Sequence, residues 1–433
     1  MEGTLRVTAK WRLVFAASVL GACASTAIAD DSSFGGLSAP ERRRDQFPKD
    51  FAYAAFPYPY RLPGIGGGLS LVAGAVNIAD TYTDAYGIVF GGDVKGGAVG
   101  VADIHLVPRT LIFDLGYTSV NRAAFQSYSQ RGMNTSKDDF SVIEVGDSEY
   151  FGGRLTATFL ERRFELYTAW YESASRFTSI RDKEGNLIIE AQDPPRNRGR
   201  TAILGTRLDL TDEYFDPRRG LRLDLTHTRS PPQGSGPDYY VMDYKATGYV
   251  PFGLRNTLAL HLLRSDAFVT RQGETDPAAL QQQLGLDCAA VPDPAQQRFC
   301  NQVISTTIAN NRFGTATQLG GFDRLRSYPQ GRFKGAHTLF LGAEYRWNLT
   351  DERTPFDIFL MKGVRTAIQL AFFYETGVTS DDRSDLYRRS EMRDSYGGGL
   401  RIVTASGVVF RGDLARGKEG FNAAIFIGYP WEL

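Results

Sequence analysis

Histidine is scarce in this chain, four residues in 433, and cysteine is scarcer at three. The four His are scattered, so no metal-binding set of imidazoles can be drawn from neighbouring positions. No Gly-x-Ser-x-Gly elbow and no phosphate-cradling loop is present. Gly64-Ile65-Gly66-Gly67-Gly68 lacks the helical pattern that must follow a dinucleotide loop. His261 lies four residues before Ser265, but no acidic residue is evident to orient the imidazole. The expectation is a protein that is not an enzyme and holds neither metal nor cofactor. Net charge is also lacking, with 49 basic against 49 acidic side chains, which removes the case for a nucleic-acid partner. Beyond the N-terminus no run of about 18 apolar residues occurs, which excludes a transmembrane helix there.

What is there begins with an export signal. Arg6, Lys10 and Arg12 form a basic segment, Leu13–Ala22 an apolar core, and Ala27-Ile28-Ala29 a small-residue cleavage site, so residues 1–29 read as a signal peptide. Leu20-Gly21-Ala22-Cys23 also resembles a lipoprotein box, which leaves the type of signal peptidase open. Residues 30–51 are polar and charged, with Glu41-Arg42-Arg43-Arg44-Asp45 at their centre, and are expected to form a flexible periplasmic leader. Two cysteines then remain, Cys288 and Cys300, both in one polar loop. In an exported chain a local disulfide is the simplest pairing, with two free thiols as the alternative.

From about residue 52 onward, short alternating segments recur to the C-terminus. Fifteen are clear, from Leu69–Asn77 to Phe421–Tyr429, and a sixteenth near Ala52–Leu62 is blurred by Pro57 and Pro59, which an edge strand tolerates best. Leu221, Leu223 and Leu225 oppose Arg222, Asp224 and Thr226; Leu204, Leu208 and Leu210 oppose Arg207 and Asp209. Connections alternate too. Those at Pro108-Arg109, Glu161-Arg162 and Ala405-Ser406 are short, while Asn121–Glu149, Ile180–Gly199 and Val269–His337 are long. A soluble β-sandwich also alternates. However, charges recur on one face in strand after strand, and the sequence offers no second sheet of different character to cover a core. The fold class expected is all-β: a transmembrane antiparallel β-barrel of about 16 strands over residues 52–433, with a long extracellular loop, 269–337, folded into the lumen.

That loop carries the most specific residues. Gly320-Gly321-Phe322-Asp323-Arg324-Leu325-Arg326-Ser327-Tyr328 leads into Thr338–Leu349, in which Leu339, Leu341, Tyr345 and Trp347 share one face and Gly342, Glu344 and Arg346 the other. On the next strand Glu375 shares a face with Gln369, Ala371 and Phe373. Together these resemble the lumenal-loop motif and following strands of the bacterial surface antigen superfamily, the BamA-, TamA- and FhaC-like outer-membrane assembly factors. Asp212–Leu223 and the last three strands are similar as well, so the resemblance covers roughly residues 60–433.

The resemblance implies that Arg326 meets acidic residues at the positions of Glu344 and Glu375, a lock clamping the loop to strands 12 and 13. A guanidinium in a partly dehydrated lumen needs such acceptors. Gly320, Gly321, Leu325, Ser327 and Tyr328 complete the motif. Here Ser327 stands where the family has glycine, Glu375 where Asp is more usual, and the chain ends Tyr429-Pro430-Trp431-Glu432-Leu433 rather than in a terminal aromatic residue. The resemblance also implies a place in the outer membrane of a Gram-negative bacterium, without the usual periplasmic polypeptide-transport-associated domains. The expected function is insertion or translocation of proteins, or alternatively lipids. Expected partners are outer-membrane lipids and lipopolysaccharide, nascent outer-membrane or secreted proteins, and a separate periplasmic protein. A passive pore or structural barrel without cargo is the competing class.

Overall fold

The computed structural model describes residues 33–34, 37–47, 50–190, 196–232, 236–253, 255–284, 287–350, 356–358, 360–364, 366–404 and 407–431. The expected signal peptide falls on residues 1–29, outside the described residues. Strands wind into one closed barrel of 16 antiparallel spanning strands. They are β1 Ala52–Leu62, β2 Gly66–Val76, β3 Asp84–Gly92, β4 Lys95–Val107, β5 Leu111–Tyr128, β6 Phe140–Phe159, β7 Phe164–Arg181 and β8 Arg196–Thr211. The circuit continues with β9 Gly220–Arg229, β10 Asp238–Phe252, β11 Asn256–Arg271, β12 His337–Asn348, β13 Thr366–Ser380, β14 Arg393–Thr404, β15 Val409–Gly417 and β16 Gly420–Ile427. β1 starts, and β16 finishes, at the end of the barrel that carries most of the short turns (the turn end); the long connections gather at the other, the loop end.

The period-2 alternation sets the two faces of the wall. On β12, Glu344 and Arg346 are buried inward, while Leu341 and Trp347 are exposed outward. Leu69, Val89, Val99, Leu204, Leu414 and Phe421 are also exposed, as a lipid-facing belt requires. β5, β6 and β7 run farther than their alternation indicated, so the connection expected over Asn121–Glu149 shrinks to 129–139. Above the apolar band both faces of a strand meet polar surroundings. The hydrophobic period then disappears from the sequence although the hydrogen-bonded ladder continues.

Three segments fill the barrel. The first is the long loop. After two helices, α1 Pro277–Leu284 and α2 Pro294–Phe313, it descends into the lumen and packs Leu319, Leu325, Tyr328 and Phe333 against Phe340 and Val378 of the wall. Cys288 and Cys300 form a disulfide that packs with Leu280 and Ile304 of the two helices.

The second segment corrects an expectation. The sequence predicts a flexible leader, but residues 39–47 are packed against the turn end, with Ala39, Gln46 and Phe47 buried. Arg42 pairs with Asp209 at 3.4 Å, Arg43 with Asp212 at 2.9 Å and with Glu213, and Arg44 with Glu213. Burial pushes the Glu213 carboxyl up to about 7, against the lowering pull of Arg43 and Arg44. Phe47 sits edge-on to His105, with the Arg109 guanidinium 4.9 Å from its ring. A polar sequence without apolar period reads as unstructured, yet a run of three arginines finds its counter-charges in the turn between β8 and β9.

The third segment is the C-terminus. β16 ends at Ile427, Gly428 turns the chain with φ 111°, and Tyr429 and Trp431 enter the lumen instead of extending the strand. Gly342 on β12 leaves the space, because a Cβ there would lie 2.6 Å from the Trp431 ring.

Candidate functional site

Arg326 is the centre of the lumen and has no exposed side-chain surface. Its Nε donates to Glu375 Oε1 at 2.9 Å and its backbone N–H to Glu375 Oε2 at 2.9 Å. Nη2 donates to Glu344 Oε2 at 3.2 Å, and Nη1 to Asp413 Oδ2 at 2.9 Å. The guanidinium also lies 3.3 Å from the centre of the Phe373 ring. Three carboxylates on three strands thus receive one loop side chain through charge-assisted bonds, the strong kind in a dehydrated setting. Burial alone would ease the proton off this guanidinium, but the attraction of Glu375, Asp413 and Glu344 wins and holds it more firmly.

The residues named from the sequence, Arg326, Glu344 and Glu375, do meet. Sequence reasoning missed the rest of the cluster. Arg401 of β14 pairs with Glu344 at 2.7 Å, Arg346 with the other oxygen of Glu344 at 2.9 Å, and Arg411 with Asp413 at 3.4 Å. Arg411 and Asp413 lie two apart on β15, a same-face pattern that was visible, but alternation does not tell which residues face each other across a lumen.

The loop motif shapes the tip. Gly320 and Gly321 adopt φ +100° and +119°, and a Cβ on Gly320 would come within 2.2 Å of the Pro329 carbonyl oxygen. Gly321 N–H donates to Tyr328 O at 2.9 Å and closes the turn. Leu325, fully buried, takes φ +49°. Ser327 is not among the positive-φ residues, so the position needs no glycine; its N–H donates to Ser395 Oγ at 3.0 Å. Tyr328 is fully buried, and its hydroxyl reaches Asp394 O at 3.3 Å.

The tail joins the same carboxylate. Trp431 Nε1 donates to Glu375 Oε1 at 3.1 Å, and its indole stacks on His261 with centroids 5.2 Å apart. His261 Nδ1 lies 2.8 Å from Thr247 Oγ1, and Ser265 Oγ accepts from Thr317 N–H at 3.0 Å, so both residues serve packing and loop anchoring. Tyr429 donates to Asp216 at 2.7 Å, in the turn that also receives the leader arginines.

The second functional feature is the seam. β1 pairs with β2 at eleven positions, Ala52 to Leu62, but with β16 at one, Arg61 opposite Ile425. Pro57 and Pro59 lack N–H groups, and residues two apart point theirs to the same edge. Because the β2 ladder is continuous, that edge is the one facing β16. The Tyr58 hydroxyl covers part of the gap, reaching the carbonyl oxygens of Arg411 at 3.1 Å and Phe426 at 2.9 Å. Nearer the turn end, a short hairpin within the connection expected over Thr350–Val364 (Phe356–Ile358 with Met361–Val364) takes the place of β16. Met361 pairs with Ala54 and Lys362 with Tyr53, and Ala55 N–H donates to Leu360 O at 3.1 Å.

A closed antiparallel barrel with an apolar outer belt and a charged, loop-filled interior is a transmembrane β-barrel. The family model of the Omp85 superfamily domain matches residues 108–416, and the chain belongs to the Omp85 superfamily. Among solved structures it is similar to BamA from Haemophilus ducreyi lacking POTRA domains 1–3, at 11% identity and TM-score 0.43, over 96% of this chain and 78% of that one. CdiB from Acinetobacter baumannii is similar at 11% identity and TM-score 0.44, over 87% of this chain and 59% of that one. CdiB from Escherichia coli gives 10% and 0.45, over 87% and 61%. The chain therefore spans about three fifths of the CdiB chains, and membership rests on the family match alone. No curated protein matches the sequence.

Proposed function

We propose that this barrel lies in the outer membrane of a Gram-negative bacterium with its turn end in the periplasm, and takes part in inserting or translocating proteins there. The observation that carries this reading is the seam, where one residue pair joins the first strand to the last. Every other neighbouring pair of spanning strands shares a long ladder, so the wall is weakest at β1–β16, and an unpaired strand edge is a template for another chain. An incoming strand would displace the Met361–Val364 hairpin and extend along β1. Membership of the superfamily supports the same reading.

A passive pore fits less well, because the loop tip, the leader and the C-terminal tail all occupy the lumen or its mouth. The Arg326 cluster serves as the lock that keeps the loop in place while the seam works. Site-specific photo-crosslinking tests the reading: a photoreactive residue at Tyr53 or Phe56 of β1 is expected to capture nascent barrel proteins in cells, and one at Tyr117 of β5 is not. Equal capture at both sites, or none at β1, contradicts it.

A further inference from the structure

The seam lacks a ladder, yet contacts span it at three heights. Near the turn end the Met361–Val364 hairpin lies on β1, and at mid-height the Tyr58 hydroxyl reaches the Arg411 and Phe426 carbonyls. Toward the loop end β1 stops at Leu62, one residue past the Arg61–Ile425 pair. Among the described residues, 420–424 of β16 therefore have no β1 residue paired with them. At that height the tip of the lumenal loop lies across the gap.

On one side the tip holds the β15–β16 hairpin. Arg332, fully buried, forks onto Glu419, with Nε 3.1 Å from Oε2 and Nη2 2.8 Å from Oε1. Its Nη1 also donates to Thr135 Oγ1 at 2.6 Å, and Tyr128 and Phe333 each place a ring centre 4.6 Å from the guanidinium. The Tyr328 hydroxyl accepts from Lys418 N–H at 3.3 Å, and the Phe322 and Phe426 rings lie 4.2 Å apart. On the other side the hold is thinner. Gln330 N–H donates to Pro63 O, in the β1–β2 turn, at 2.9 Å. A charge-assisted fork is stronger than one neutral backbone hydrogen bond. The tip thus stays with the last hairpin, and the contact to Pro63 is the one that gives.

We propose that the loop tip is a clasp across the seam: Arg332 and Glu419 fix it to the last hairpin, and the Gln330–Pro63 hydrogen bond is the catch that breaks before the first and last strands part at the loop end. The inference rests on the seam reading given above and adds the positioning residues that control it. Pro329 to Arg332 form a β-turn, with Arg332 N–H on Pro329 O at 3.2 Å and Gly331 at φ +64°, while Gln330 is not among the positive-φ residues. That is the type II pattern, whose second position suits proline. Gln330→Pro therefore keeps the turn and deletes the N–H, whereas Gln330→Ala keeps the N–H and deletes only the side chain. Nitroxides on Leu69→Cys of β2 and Leu414→Cys of β15, both exposed positions, read the seam by pulsed electron resonance in the empty full chain in nanodiscs. Cys288 and Cys300 are bonded to each other, and a Cys23→Ser background leaves only the introduced thiols to label. The unaltered tip and Gln330→Ala are expected to give one narrow distance, and Gln330→Pro a second population longer by at least about 5 Å, one strand spacing. Leu166→Cys of β7 with Tyr244→Cys of β10, also three strand steps apart, is expected to stay narrow throughout. Heat-modifiable migration reports folding. Should Gln330→Pro not fold, Glu419→Gln, which takes that carboxylate from Arg332, is expected to widen the same distance. An unwidened seam in the folded variant, or equal widening in Gln330→Ala or between β7 and β10, overturns the clasp. The distance is read without cargo, so a failed clasp leaves capture at Tyr53 intact, while a failed seam reading loses that capture whatever the distance shows.

Discussion

A guanidinium without exposed surface is tolerated only where its donors are met, and Arg326 meets three carboxylates. Those carboxylates are not equally dependent on it. Glu344 also has Arg401 and Arg346, and Asp413 has Arg401 and Arg411. Among the described residues, Arg326 is the one guanidinium paired with Glu375. Arg326→Ala therefore strands Glu375, and removing one member of a buried pair costs about 3–5 kcal/mol. The expected outcome is a released loop, cut faster by protease near Tyr328, with altered single-channel conductance. Arg326→Lys does not restore the wild-type pattern, because an ammonium cannot fork to three strands. Glu375→Gln is milder, since Arg326 keeps Glu344 and Asp413. Unchanged cutting and conductance in Arg326→Ala would mean that the loop is held elsewhere. Arg326, Glu344 and Glu375 were legible because a motif and strand parity single them out. Trp431 was not: four residues beyond the last strand, nothing in Tyr429-Pro430-Trp431 says that a glycine on β12 has left room for an indole.

At the scale of elements, the strands were legible wherever one face meets lipid and the other the lumen, as in β9 and β12. They were illegible where that contrast fades, in the upper parts of β5, β6 and β7. The leader escaped notice for another reason. Its partners Asp209, Asp212, Glu213 and Asp216 lie more than 160 positions away, and charge complementarity at that separation leaves no local period. Arg43→Ala with Arg44→Ala removes the charges that face Glu213 and Asp212, and is expected to free residues 39–47 without opening the barrel. Limited proteolysis would then cut before Phe51 at least several-fold faster, while heat-modifiable migration stays intact, as expected for local opening. If cutting is unchanged, Phe47 and Arg42 anchor the segment without them. The hairpin over Phe356–Val364 was likewise visible only as an overlong connection, since its partner strand is β1.

For the whole molecule, a 16-strand wall is closed by ladders at fifteen junctions and by one residue pair at the sixteenth. The interior is occupied from three directions, and two of the occupants, the loop tip and the C-terminal tail, share Glu375. The last strand is therefore tied to the lumen by its own continuation, so movement of β16 and of the lumenal loop are coupled through one carboxylate. Opening for cargo at the β1–β16 seam is the central claim, and tethering that seam tests it most directly. Arg61 and Ile425 face each other across it, so Arg61→Cys with Ile425→Cys places two thiols in register. Reconstituted in liposomes, the oxidised pair is expected to stop insertion of a nascent barrel protein, reductant to restore it, and either single variant to remain active throughout. Full insertion by the oxidised, fully cross-linked protein would show that cargo does not pass between the first and last strands.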